Sequence, residues 1–137
     1  MAKRKTYLDS CVLISAFRGN NSISESVWRV IDDPERDFVI SDFLRLELLP
    51  KPTYTKNDGE VAFMKEFFNA ASEEVKSSEE HVKKALELAC KHGLSAVDAL
   101  HATAAIESNV DDFITAEKQS KPFFNIDGLN VVSIYKT

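Results

Sequence analysis

The chain has 137 residues, 44% of them hydrophobic and 28% charged, with a net charge of −5. That is enough for one domain, residues 1–137, with a real core that needs neither disulfides nor a structural metal. The composition excludes a membrane span, since no apolar run approaches ~20 residues, and the acidic balance excludes a protein that coats nucleic acid by bulk electrostatics, though not an enzyme that reads a short stretch of RNA.

Residues 6–9 read as a short apolar strand ending at Asp9. Residues 11–17 read as a helix stopping near Gly19, where glycine permits a left-handed cap. Ser24 is placed to cap a second helix with Val27, Val30 and Ile31 on one face, broken at Asp33-Pro34. A second strand runs over 37–41 around Phe38-Val39-Ile40. Ser41 is then placed to cap a helix over 42–49, terminated by Pro50 and Pro52. The alternation Leu44-Arg45-Leu46-Glu47-Leu48 also suits a half-buried strand, but the cap and the helix-favouring residues decide for helix.

Val61, Met64, Phe68 and Ala71 recur at helical spacing, as do Val82, Ala85, Leu86 and Ala89, with 74–76 a short polar edge strand between the two helices. His92-Gly93 stops the second of them, and Ser95 starts another that runs to about Glu107. Residues 113–115 form a buried strand, 117–120 a helical turn and 130–135 the closing strand. Strands separated by helices make βαβ units, hence an α/β fold with a mainly parallel sheet of about five strands covered by helices on both faces. In such sheets function gathers beyond the carboxyl ends of the strands.

The basic start of the chain leads into a strand rather than a signal-peptide core. Cys11 and Cys90 supply no disulfide framework and no Cys/His metal spacing, and are expected as buried free thiols in a reducing, cytoplasmic protein.

Asp9, Glu47, Asp98 and Glu117 stand where this fold can bring them together. Asp9 and Glu117 follow strands, while Glu47 and Asp98 lie on helices able to approach the same edge. A charge beside core-forming residues is costly unless paired or metal-bound, and clustered carboxylates suit a hard cation such as Mg²⁺. Each acid also has a local explanation. Asp98 lies three residues after Ser95 and favours the helix dipole, Asp9 is placed as a cap, Glu117 follows Thr115 as a second cap-like pair, and Glu47 has Arg45 and Lys51 nearby. His101, in an Ala/Leu-rich helix, reads as a satisfied core residue. Ser10 and Thr115 carry hydroxyls able to support metal-bound water or phosphate.

Leu8-Asp9-Ser10 with Val12-Leu13-Ile14, the segment from Ser41 to Glu47, Asp98-Ala99-Leu100-His101-Ala102 and Phe113-Ile114-Thr115-x-Glu117 together resemble the successive motifs of PIN domains. In size and single-domain build the chain is most similar to the VapC-type toxin ribonucleases of type II toxin–antitoxin pairs. It departs from the usual pattern at Cys11, where asparagine is common, and at Glu117, where aspartate is common. The resemblance implies a metal-dependent endoribonuclease whose Mg²⁺ or Mn²⁺ cofactor is held by Asp9 and Asp98, with Glu47 and Glu117 as direct or water-mediated ligands. It also implies a 5′-phosphate product, an RNA substrate, a separate antitoxin and a homodimer. Weaker candidates for gripping phosphate are Arg18, Arg45, Lys118 and Lys121.

Two rivals stand beside this reading. A non-catalytic PIN-like RNA-binding or interaction module would be expected to lose the acids, and all of them are present. Another small phosphate-binding α/β domain would need a glycine-rich loop, and the chain has only four glycines, none in such a pattern.

Overall fold

The structure, a computed structural model, describes residues 2–19, 24–117 and 122–134. In chain order the elements are β1 (Arg4–Leu8), α1 (Ser10–Arg18), α2 (Ser24–Ile31), β2 (Arg36–Ser41), α3 (Asp42–Leu48), α4 (Pro50–Tyr54) and α5 (Asp58–Ala70). They continue as β3 (Glu73–Val75), α6 (Glu79–His92), α7 (Ala96–Glu107), β4 (Asp112–Thr115), a 3₁₀ turn at Pro122–Asn125 and β5 (Val131–Ser133). The five strands pair in the order β3-β2-β1-β4-β5, every pair parallel.

Parallel strands need crossovers, whose helices pack on the sheet, so β4 is buried along its length and β1 and β2 over their last three residues. All of β4 is buried, and Tyr7 and Leu8 of β1 are wholly so. The Tyr7 ring stacks on Phe113 at 5.3 Å, and Phe113 in turn meets Phe123 at 4.7 Å. The polar strand β3 forms one edge, where charged residues discourage further pairing.

Local chemistry sets the helix ends. Ser41 accepts from the Leu44 N–H at 3.3 Å, Ser78 from His81 at 3.1 Å and Ser95 from Asp98 at 3.2 Å. Gly19 and Gly93 close α1 and α6 in the left-handed region, with φ of 57° and 70°.

Several expectations need correction. α3 ends at Leu48, before Pro50 as expected, but Pro50 also opens a further helix, α4, which contains Pro52, because a first helical residue needs no N–H. Ser24 is the first residue of α2 rather than its cap, and the cap position falls outside the described residues. Cys90 is exposed on α6, whereas Cys11 is half-buried; both are free thiols. Val82 and Leu86 share helical spacing with buried Ala85, yet they face outward and form an apolar trough with Ala89, Ala96 and Leu100. The predicted helical turn at 117–120 and the end of the closing strand at residue 135 lie outside the described residues apart from Glu117, which sits in a bend.

At the amino end of the sheet, Asp112 is buried under two arginines. Its Oδ2 accepts from Arg4 Nε at 2.8 Å and Arg36 Nη1 at 3.0 Å, and its Oδ1 accepts from the Thr6 hydroxyl at 2.8 Å. Removing one partner of a buried ionic network leaves the others without compensation. Asp112→Ala is therefore expected to lower the unfolding free energy by about 3 kcal/mol in urea titrations. An unchanged midpoint would show that the network contributes nothing net.

Candidate active site

The opposite, carboxyl end of the sheet holds the acids. Strand order reverses between β1 and β4, the switch point at which an open parallel sheet leaves a crevice. Asp9 follows β1 directly, and its N–H donates to the Ile114 carbonyl of β4 at 2.9 Å. Its buried carboxylate caps α1: Oδ1 accepts from the Ser10 N–H at 2.8 Å, and Oδ2 accepts from the Thr115 hydroxyl at 2.9 Å. The same Thr115 oxygen accepts from the Glu117 N–H at 3.1 Å. One hydroxyl at the end of β4 thus fixes Asp9 and shapes the backbone that carries Glu117. Ser10, through its N–H, and Thr115, through its hydroxyl, both contact the Asp9 carboxylate.

Asp98 lies in the first turn of α7. Its carboxyl is held above the usual aspartate range, chiefly by burial and then by the charge of Asp9; a hydrogen bond with Ser95 works the other way, and the charge of Glu117 adds a smaller push upward. Asp98 and Glu117 line one small cleft of 140 Å³ with Gly93, Ser95 and Phe123. Asp98 therefore lies within reach of the charges of Asp9 and of Glu117.

Glu47 on α3 differs in sign. Its carboxyl is held below the usual range, first by a hydrogen bond from His101 and also by the Ser10 hydroxyl, while burial works the other way. His101 Nε2 donates to Glu47 Oε1 at 2.7 Å. Neither Arg45 nor Lys51 is the partner. Arg45 forks onto Glu74 through Nε and Nη2, at 2.8 and 3.1 Å, and lies over the Phe68 ring, so its guanidinium is oriented by β3 and α5. Arg18 is exposed in the last turn of α1, where a cation complements the helix dipole. Lys118 and Lys121 lie outside the described residues.

His101 is fully buried and satisfied, as a core histidine should be, but its partner is one of the acids. Its Nδ1 meets the Tyr7 hydroxyl at 2.6 Å, and that hydroxyl meets Ser41 Oγ at 2.7 Å. Asp98 and His101, three residues apart on α7, share a helix face, but nothing local in the sequence pairs His101 with Glu47.

Among the described residues, no three Asp, Glu, His or Cys side chains already stand at metal-ligand spacing. The donor set nevertheless fits a hard divalent ion. Both His101 nitrogens are occupied, and burial with the nearby Asp9 charge pushes the Cys11 thiol up to about 12, so soft and nitrogen ligands are withheld. Carboxylate and hydroxyl oxygens remain, a set that suits Mg²⁺ or Mn²⁺ better than zinc.

The PIN domain profile matches residues 6–127, most of the chain. The chain belongs to the PIN domain family. No protein of curated function matches it in sequence. Solved structures with similar folds include a chain of VapBC2 from Rickettsia felis bound to a DNA fragment from their promoter, at 16% identity and a TM-score of 0.71, covering 94% of this chain and 98% of that one. A chain of a toxin–antitoxin complex from Klebsiella pneumoniae matches at 17% identity and 0.70, covering 96% and 99%. A chain of DNA-bound VapBC from Salmonella typhimurium matches at 13% and 0.71, covering 96% and 98%. At such identities the likeness speaks for the fold, here a PIN domain with one parallel sheet.

Proposed function

We propose that this PIN domain is a Mg²⁺- or Mn²⁺-dependent endoribonuclease and the toxin component of a toxin–antitoxin pair. The observation that carries the reading is the placement of acids at the switch point of the sheet: Asp9, held by Thr115 at the end of β4, beside Asp98 and Glu117, which line one cleft. Asp9 is buried and Asp98 and Glu117 half-buried, and like charges in such surroundings raise each other's energy unless a cation offsets them. Asp9 and Asp98 are the proposed principal ligands, with Glu47 and Glu117 beside them. A divalent ion there would lower the pKa of bound water and neutralise charge building on the phosphate. The chain's own contribution is positional: Thr115 and the start of α1 hold Asp9, the start of α7 holds Asp98, and Ser10 and His101 hold Glu47.

The decisive experiment incubates purified protein with a panel of RNAs, with and without Mg²⁺ or Mn²⁺, beside Asp9→Asn. Metal-dependent cleavage that falls at least about a hundredfold in the variant is expected. Binding of RNA without cleavage under any metal would favour the non-catalytic module instead.

A free toxin needs an inhibitor, and VapBC neighbours motivate an antitoxin partner. An Arg or Lys of that partner placed among the carboxylates would relieve the same repulsion as the metal. A groove of 480 Å³ lined by Trp28, Ile31, Phe38, Phe63 and Phe67 suits its hydrophobic side chains. The outward-facing Val82, Leu86 and Val97 offer a face that homodimer formation would cover. The cytoplasm is the proposed setting, and no helix among the described residues is long and apolar enough to cross a membrane.

A further inference from the structure

We propose that His101 and Tyr7 are positioning residues for Glu47, fixing which way its carboxylate faces; the proposal rests on the nuclease reading above. The observation is a hydrogen-bonded chain through the core: Ser41 Oγ to Tyr7 OH at 2.7 Å, Tyr7 OH to His101 Nδ1 at 2.6 Å, and His101 Nε2 to Glu47 Oε1 at 2.7 Å. A carboxylate only accepts, so Nε2 donates to Glu47. A single ring proton, on Nε2, then satisfies every contact. The Tyr7 hydroxyl donates to Nδ1, the Ser41 hydroxyl donates to Tyr7, and the Leu44 N–H donates to Ser41.

Four elements meet in this chain: β1 supplies Tyr7, the end of β2 supplies Ser41, α3 supplies Glu47 and α7 supplies His101. Ser41 is also the cap of α3, the helix that carries Glu47. The chain therefore locks the helix and the side chain borne on it to the same fixed point.

Tyr7, Ser41 and His101 are all fully buried, at 0% exposure. Phenylalanine and leucine would fill such a core without hydroxyls or nitrogens to satisfy, and a buried polar group is costly unless bonded. The series of polar groups ends on one acid at the carboxyl edge of the sheet. Asp9 receives the same treatment from Thr115, a buried hydroxyl holding one oxygen of a site carboxylate. Outer partners of this kind set ligand orientation, and their loss typically lowers metal affinity or activity by about 10–100-fold.

The test is a double-mutant cycle on the full chain, reading RNA-cleavage kcat and KM, and Mn²⁺ affinity by calorimetry. His101→Leu is expected to lower kcat by about tenfold with KM for RNA little changed, and to weaken Mn²⁺ binding several-fold. Tyr7→Phe keeps the ring against Phe113 and is expected to show a smaller loss of the same kind. His101→Gln, which keeps a donor near the Nε2 position, should recover much of the loss. In a Glu47→Gln background, Tyr7→Phe and His101→Leu should have little further effect, because the group they position is already changed. Equal losses in both backgrounds, or a His101→Leu variant with wild-type kcat and Mn²⁺ affinity, overturn the proposal. If His101→Leu fails to fold, the Tyr7→Phe arm decides alone. A wild type that neither cleaves RNA nor binds Mn²⁺ sinks the nuclease reading and this proposal with it; one that does both while the cycle is additive sinks the proposal only.

Discussion

Asp98→Asn is expected to cleave RNA at least about a hundredfold more slowly than wild type while unfolding no more easily in the absence of metal. The reason lies in the sign of its ionisation energetics. Burial and the charges of Asp9 and Glu117 hold its folded-state pKa above the ordinary 3.8. Between that ordinary value and the raised one, the folded state binds more protons than the unfolded state. Stability therefore falls as pH rises through this window and stays lower above it. Asparagine has no charge to repel, so the variant should lack that fall.

Glu47 runs the other way. Its folded-state pKa lies below the ordinary 4.5, so its contribution is present above that value and lost as pH drops through the lowered one. Glu47→Gln should accordingly be destabilised near neutrality, while Asp98→Asn is not. Urea titrations from about pH 3 to neutrality, a span that includes the ordinary aspartate and glutamate values of about 3.9 and 4.3, separate the two. If Asp98→Asn melted readily and kept full activity per folded molecule, its role would be that of a first-turn helix residue over the Ser95 cap, and not of a site ligand.

Much of this arrangement was legible in the sequence because its causes are local. Ser41, Ser95, Gly19 and Gly93 act as caps through their own side chains or backbone freedom, so the ends of α1, α3, α6 and α7 follow from neighbouring residues. The apolar run ending at Thr115 marks a strand buried on both faces in the same way. Once the strands are parallel, Asp9 and Glu117 must leave the sheet at one end. What could not be read was long-range. Glu47 has cations close in sequence, yet its partner is His101, 54 residues away, and only the packing of α3 against α7 creates the pair. Arg45 is likewise drawn to Glu74 on the strand beyond β2. The pattern of Val82 and Leu86 gives a helix but not its outward face, since a helix packed on one side and apolar on another has the same periodicity as one that is fully covered.

Addition of Mn²⁺ or Mg²⁺ is expected to raise the melting temperature of the wild-type chain by several degrees, and Asp9→Asn is expected to abolish the shift. A ligand that binds only the folded state stabilises it by about 2.7 kcal/mol at a hundredfold excess over Kd, enough for a shift of several degrees in a domain of this size. The unfolded chain gathers no equivalent set of oxygens, because Asp9, Asp98 and Glu117 meet only when β1, β4 and the start of α7 are packed. A cation also removes the repulsion that burdens Asp98, so binding and relief of repulsion act in the same direction. Asparagine at residue 9 still has a side-chain oxygen for the Ser10 N–H, so the start of α1 should survive, but the charge that draws the cation is gone. Chelation should reverse the wild-type shift completely. Equal shifts in wild type and Asp9→Asn would place the ion elsewhere on an acidic surface, and no shift at any accessible concentration would leave these carboxylates without the metal that best accounts for their crowding.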